Sequence, residues 1–359
     1  LPELRKSIAG FHSREDQVDF SWKNILIGPG SKELMFILQT VFNGEILIPN
    51  PYWVSYPQQS KITDTQYHLI QTKAKDKWLL SPEQLDGWCC MQETKDTYRL
   101  LILNYPSNPV GTTYTISELQ EMATVARKHK VIILSDEIYG HIHHEGEHVS
   151  IARYYPEGTI ISSGLSKWCG AGGWRLGTFA FPEELSDLME AMAIMASETY
   201  TSVAAPIQYA SVTAFDGSDD IYEYLRHSQI ILKNLGSQVS QRLLDNHISL
   251  NRPAGGFYVF PDFTVFGNKL SYRGIHGSTH LCRALLEETG VAVLPGTVFG
   301  RSEDELIIRI AYVNFDGEAA IEGCRTGLKD DVLSIDFLNK YCGKVLSGVD
   351  KITTWINDM

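Results

Sequence analysis

At 359 residues with a formal net charge of −12, the chain is long for one hydrophobic core and suggests two domains sharing an interface. Apolar residues make up 43% and charged residues 21%, an ordinary soluble composition, and the acidic balance argues against nucleic acid or an anionic membrane, which both need a basic face. No apolar run approaches the roughly 18 residues that span a bilayer, and no signal peptide is visible, so a cytoplasmic location is expected.

In chain order, short β-branched apolar runs mark strands at Asn24–Gly28, Glu45–Pro49, Arg99–Asn104, Lys130–Asp136, Thr159–Ser163 and Leu176–Phe181. Their near-continuous apolar character predicts strands buried on both faces of a mostly parallel sheet. Between them, Ser31–Phe42 and Ser117–Lys128 carry apolar residues at helical spacing. Alternation of this kind predicts a doubly wound α/β fold. Beyond about Phe215 the pattern changes. A long helix over Ile221–Leu244 precedes strands at Gly255–Phe260, Val291–Leu294 and Leu306–Ala311, a helix over His280–Thr289 and a helical tail, which together read as a smaller α+β domain. The expected organisation is an N-terminal segment over 1–22 belonging to the small domain, a large domain over 23–215 and a small domain over 216–359.

Cys89, Cys90, Cys169, Cys282, Cys324 and Cys342 include no C-x-x-C pair, so free thiols are expected rather than disulfides or a zinc site. The run His141-Ile142-His143-His144, with His148, reads as a polar surface loop around Glu145-Gly146-Glu147. No cysteine or carboxylate completes a ligand set there at metal spacing, and no metal is expected.

In open α/β sheets, ligand-binding groups gather at the carboxyl ends of strands. Asp136 closes one predicted strand, Asn108 follows another, and Lys167 follows a third. Gly28-Pro29-Gly30-Ser31 joins a strand to a helix, a geometry in which backbone N–H groups cradle a phosphate. Taken singly, each has a plainer reading: Asp136 as a helix cap, Trp53 as core, Arg175 and Arg309 as ion-pair residues and Lys167 as a surface lysine.

Four segments together resemble one family. Asn104-Tyr105-Pro106-Ser107-Asn108-Pro109-Val110-Gly111, Ser135-Asp136-Glu137-Ile138-Tyr139, the lysine segment Ser166-Lys167 through Arg175-Leu176-Gly177, and Pro51-Tyr52-Trp53-Val54-Ser55-Tyr56-Pro57 resemble, in family order, the motifs of class I (fold type I) aminotransferases. The last is similar to the aspartate/prephenate branch. The resemblance implies a homodimer with pyridoxal 5′-phosphate (PLP) as cofactor. It implies that Lys167 is the Schiff-base lysine and proton carrier, and that Asp136 pairs with the pyridine nitrogen. Asn108 and Tyr139 would meet the phenolic oxygen, and Trp53 would stack on the ring. Gly30, Ser31 and Arg175 would meet the phosphate. Gly164 stands where many relatives carry a phosphate-binding serine, so Ser163 or Ser166 is expected to substitute. Arg309 resembles the arginine of the substrate α-carboxylate, and Lys32 resembles a lysine that meets the distal carboxylate of an acidic substrate. Asn108-Pro109 would be a cis bond. Pro2-Glu3-Leu4-Arg5 resembles a segment that relatives precede with an arm, which is not in this sequence. The implied activity is transamination between an amino acid, acidic by preference, and a 2-oxo acid. A PLP-dependent lyase on the same scaffold and the ligand-sensing domain of a transcription regulator are the other readings.

Overall fold

The structure is a computed structural model, and it describes residues 1–91, 97–327 and 331–359. Along the first half run helix α1 (Pro2–Phe11), strand β1 (Ile25–Gly28), α2 (Ser31–Val41), β2 (Gly44–Asn50), α3 (Ser55–Ile62), β3 (Tyr67–Gln71), α4 (Pro82–Met91), β4 (Tyr98–Asn104), α5 (Ile116–His129), β5 (Val131–Asp136), β6 (Thr159–Gly164) and β7 (Gly177–Ala180). The second half holds α6 (Ser186–Glu198), α7 (Ala205–Asp216), α8 (Asp219–Asp245), β8 (Tyr258–Val259), α9 (Gly267–Tyr272), α10 (Ser278–Thr289), β9 (Leu294–Pro295), β10 (Ile308–Ala311), α11 (Gly317–Gly327) and α12 (Ile335–Asn357).

Seven strands form one sheet in the order β1-β7-β6-β5-β4-β2-β3. The pairs among β2 to β6 are parallel, and β7 runs antiparallel to both β6 and β1. This is the expected mostly parallel α/β sheet. The reversal at β7 has a local cause: no crossover helix lies between Gly164 and Gly177, and a parallel return requires one. The apolar strands are buried as their sequences imply, with Leu100, Leu101, Ile133, Ile160 and Phe179 essentially inaccessible. The sequence did not reveal β3. It is an edge strand, Tyr67-His68-Leu69-Ile70-Gln71, mostly partly exposed, and edges carry the polar residues that hide a strand from an apolar-run search.

The second sheet is small and antiparallel, ordered β8-β10-β9. Its strands are shorter than Gly255–Phe260 and Val291–Leu294 suggested. Gly256 has φ of +67°, which leaves the extended region, and a Cβ on Gly255 would lie 2.5 Å from Pro106 Cγ. The segment spends those residues on close approach to the large sheet's loops rather than on strand pairing.

The histidine run is not a surface loop. Its tip at Glu145–Glu147 is exposed, but His143 and His144 are buried. His143 bridges Gly255, and the His144 N–H donates to Ala254 O at 2.8 Å. Behind it, His148 Nε2 lies 2.9 Å from a Glu137 carboxylate oxygen, and His141 packs edge-on to Phe11 at 4.7 Å. The loop is a seam between the strand β5 side and the segment before β8, so its imidazoles fold inward.

Glycine sets how closely α2 approaches the sheet. Gly28, Gly177 and Gly164 occupy one row across β1, β7 and β6. A Cβ on Gly177 would meet Ser31 N at 2.1 Å and Gly30 C at 2.3 Å. These are backbone atoms that cannot swing aside. Gly177→Ala is therefore expected to destabilise the protein by about 1–3 kcal/mol, as overpacking does, read as a lowered urea midpoint. An unchanged midpoint would show that α2 does not rest on β7.

Candidate active site

The site begins with strand register. Asn104, Asp136 and Ser162 are neighbours across β4, β5 and β6, so three polar side chains stand in one row at the carboxyl ends of parallel strands. Asp136 is 3% exposed. Its carboxylate accepts from Tyr56 Oη at 2.5 Å and from Ser162 Oγ at 3.3 Å. Burial pushes its pKa up to about 6 against the pull of those two donors. The carboxylate is thus ionised at neutral pH but held with little solvent help.

A cavity of about 590 Å³ opens over this row. Ser31, Lys32, Trp53, Asn108, Asp136, Tyr139, Ser166, Lys167, Arg175 and Arg309 all line it, although they come from six segments of the chain and both sheets. Lys167 Nζ lies 5.6 Å from the Tyr139 ring centroid and 5.5 Å from that of Phe257. Burial, with Arg309 nearby, lowers its pKa, which raises the share of neutral amine available as a nucleophile or base.

Asn104 ties the loops to the strands. Its Nδ2 donates to Asp136 O at 2.8 Å, and its Oδ1 accepts from the Asn108 N–H at 2.8 Å. Asn108 Oδ1 in turn accepts from Arg309 at 2.9 Å. The Arg309 guanidinium lies between the rings of Tyr258 at 4.5 Å and Phe299 at 4.7 Å. Its Nε is buried without a partner, and burial lowers its pKa. Tyr139 Oη and Tyr258 Oη are 3.1 Å apart. Burial raises the Tyr139 pKa well above the usual phenol value, so it stays a protonated donor. Lys32 Nζ sits 5.0 Å over the Trp53 ring.

At the other end, α2 starts without a side-chain cap, and Gly30 precedes it at φ +98°. Its first N–H groups are therefore available to an anion. A Cβ on Gly30 would lie 2.1 Å from Arg175 NH2, so only glycine leaves room for that guanidinium. Arg175 itself is anchored by donating to Gly172 O at 2.8 Å and Pro29 O at 3.1 Å. A buried carboxylate, a free lysine, a stacking tryptophan and an uncapped helix beside an arginine form the donor set that a phosphorylated pyridine aldehyde requires. The residues fit PLP.

Two expectations are corrected. Ser163 does not reach the cavity: side chains alternate along β6, so Ser162 faces Asp136 while Ser163 points to the other face, buried with no partner for its Oγ. Gly164 cannot carry a serine there without strain, since its φ is +156° and a Cβ would meet Leu176 O at 2.6 Å. The Asn108–Pro109 bond is trans; Asn50–Pro51 and Tyr105–Pro106 are cis. Asn108–Val110 lie inside a turn closed by the Gly111 N–H to Ser107 O at 2.7 Å, a helical-type turn built from trans peptides. Tyr56, Asn104, Ser162 and Tyr258 carry contacts that the sequence reading assigned no role. Tyr56 and Asn104 lay inside quoted motifs. Tyr258 had no local signal, because a different sheet brings it in.

Asp136 makes stability fall with pH in the ligand-free protein. Its folded pKa lies above the usual 3.8, so the folded state holds the proton more tightly and this contribution is full below about pH 4. It is lost as pH rises through about 6. Moving from 3.8 to about 6 corresponds to about 3 kcal/mol at 1.36 kcal/mol per pH unit. Asp136→Asn should therefore be more stable than the native chain at pH 8, by up to about 3 kcal/mol, with the gap closing near pH 4. Urea titrations at both pH values check this; an equal difference at both would show that the carboxylate is not strained by burial.

Comparisons with known proteins agree with the geometry. The family model "Aminotransferase class I and II" matches residues 1–320. The aspartate aminotransferase of Bacillus sp. (strain YM-2) is 32% identical over 324 residues, covering 87% of this chain and 77% of that protein. Among solved structures, the aspartate aminotransferase of Thermus thermophilus with maleate superposes with a TM-score of 0.79 at 25% identity, covering 99% of this chain and 81% of that one. The aromatic aminotransferase of Pyrococcus horikoshii OT3 gives a TM-score of 0.82 at 26% identity, covering all of this chain and 86% of that one. With fold, site and sequence in agreement, the chain belongs to the class I and II aminotransferases and is a PLP-dependent enzyme.

Proposed function

We propose that the enzyme transfers the amino group of aspartate or glutamate to a 2-oxo acid. One observation carries this reading. Two cations, Arg309 and Lys32, line the cavity that holds Lys167 and Asp136, and among the described residues no carboxylate pairs with either. Arg309 is partly buried with an Nε that has no partner, which is costly for a cation. Lys32, although exposed, stands in the first turn of α2, where the macrodipole disfavours a cation; the two carboxylates of an acidic amino acid answer both. Two of the named relatives are called aspartate aminotransferases and the third an aromatic aminotransferase, so Lys32 is what favours the acidic substrate here.

PLP supplies the electron sink that stabilises charge at the substrate α-carbon. The chain's residues do the rest. Lys167 Nζ holds the cofactor covalently and then carries the proton at the α-carbon, a task suited to its lowered pKa. Asp136 keeps the pyridine nitrogen protonated, with Tyr56 and Ser162 fixing the carboxylate. Tyr139 and Asn108 contact the phenolic oxygen, and Trp53 stacks on the ring. Ser31, Gly30, Ser166, Arg175 and the start of α2 take the phosphate. Arg309 meets the α-carboxylate bidentately, which its planar fork allows, while Lys32 meets the distal carboxylate. The same proposal includes a cytoplasmic homodimer with its small domain over 216–359 and the 1–22 segment. No helix among the described residues is long and apolar enough to cross a membrane.

The substrate assignment is tested at Lys32. A charge-assisted hydrogen bond contributes about 1.5–3 kcal/mol, roughly a 10- to 150-fold effect. Lys32→Ala should lower kcat/KM for aspartate by about that factor and change alanine much less. Equal losses for both donors would assign Lys32 to the cofactor or the fold. Borohydride reduction of the PLP enzyme should fix the label on Lys167, read by peptide mapping; label on another lysine would remove the central assignment.

A further inference from the structure

α4 and α5 pack side by side, with Leu85 and Cys89 of α4 in the same buried cluster as Leu119, Met122 and Ala126 of α5. The vicinal cysteines of α4 divide between core and solvent: Cys89 is buried and Cys90 is exposed. Asp86 lies one turn before Cys90, so the two share a helix face. His129 closes α5 and meets that face. Its Nε2 is 2.6 Å from Asp86 Oδ1, and the Cys90 Sγ, an Asp86 carboxylate oxygen and a His129 ring nitrogen all lie within 4.8 Å of one another. An ion pair between Asp86 and Lys128, at 2.6 Å, accounts for the carboxylate but not for the thiol beside it.

We propose that Asp86, Cys90 and His129 form a zinc site of the open, three-ligand kind, clamping the C-terminal ends of α4 and α5. One thiolate, one imidazole and one carboxylate are zinc's own donor types, and three protein ligands leave the fourth tetrahedral position to water. Binding forms the zinc–sulfur bond and releases the thiol proton to solvent. Lys128 takes the supporting place that orients such ligands, since a carboxylate has lone pairs for both the metal and the ammonium. The buried group of Asp16, Glu137 and His148 differs in holding no thiol, and its carboxylates are bonded to His12 at 2.7 Å and to Ser135, Ser150 and His148 at 2.6, 2.7 and 2.9 Å.

The test uses the PLP-loaded enzyme with zinc alone, titrated against a chromophoric chelator. One zinc per chain should bind, and Cys90→Ser and His129→Gln should each weaken it by at least about 10- to 100-fold, the loss seen when even a supporting partner is removed. Turnover in metal-free buffer should stay native in both variants, which shows that they fold. Cobalt in the wild-type protein should give a thiolate-to-cobalt charge-transfer band, a readout that does not depend on any variant. Zinc binding no tighter than millimolar, wild-type affinity in Cys90→Ser, or a cobalt spectrum without that band would each overturn the proposal.

Discussion

The structure is organised around one buried carboxylate. Burying an ionised Asp costs several kcal/mol unless hydrogen bonds and charge answer it. The Asp136 carboxylate is answered by the Tyr56 and Ser162 hydroxyls and the Ile138 backbone, with no cation paired to it among the described residues. Its place is fixed by parallel register, which aligns it with Asn104 and Ser162. From there a single chain of hydrogen bonds runs through Asn104 to Asn108 and on to Arg309. Asp136 and Arg309, the groups proposed to meet the cofactor ring and the substrate, are thereby set relative to one another, although they belong to different sheets.

The strand end is also held from behind. Glu137, the next residue, accepts from Ser135, Ser150 and Tyr105 and pairs with His148. Tyr105 Oη also accepts from the Ile151 N–H at 2.7 Å. With four partners the Glu137 carboxylate is satisfied, and a buried network of this kind rigidifies its surroundings, although His148 Nδ1 is buried without a partner. Asp136 and Glu137 thus do opposite things with the same chemistry: one carboxylate is left short of partners for a ligand, and the other is saturated to hold the first in place.

Unanswered cations follow the same logic. Arg309 keeps a buried Nε without a partner, and Lys32 sits at the positive end of the α2 dipole, where a cation is disfavoured by roughly 0.3–1 kcal/mol. Both are local losses of stability, which the proposed dianionic substrate would reverse. Charges placed before the ligand arrives need no reorganisation during the reaction, and the fold tolerates their cost because the central strands β4, β5 and β6 are largely buried.

Much of this was legible in the chain itself. Apolar runs gave the buried strands, helical spacing gave α2, α5 and α8, and contiguous motifs carried Lys167, Asp136, Asn108, Trp53 and Arg175, because a strand and the loop that follows it are close in sequence as well as in space. What register and packing decided could not be read there. Tyr258 enters the site from the second sheet, and Ser162 rather than Ser163 faces Asp136 because strand alternation offers one face or the other. The His143-His144 backbone pairs with Gly255 and Ala254, and the His144 and His148 imidazoles turn inward to Gly256 O and the Glu137 carboxylate. Asp86 and Cys90 meet His129 across 43 positions or fewer, a gap bridged only by helix packing. Sequence fixes what is local along the chain, and contacts between distant segments exist only once burial has chosen which faces meet.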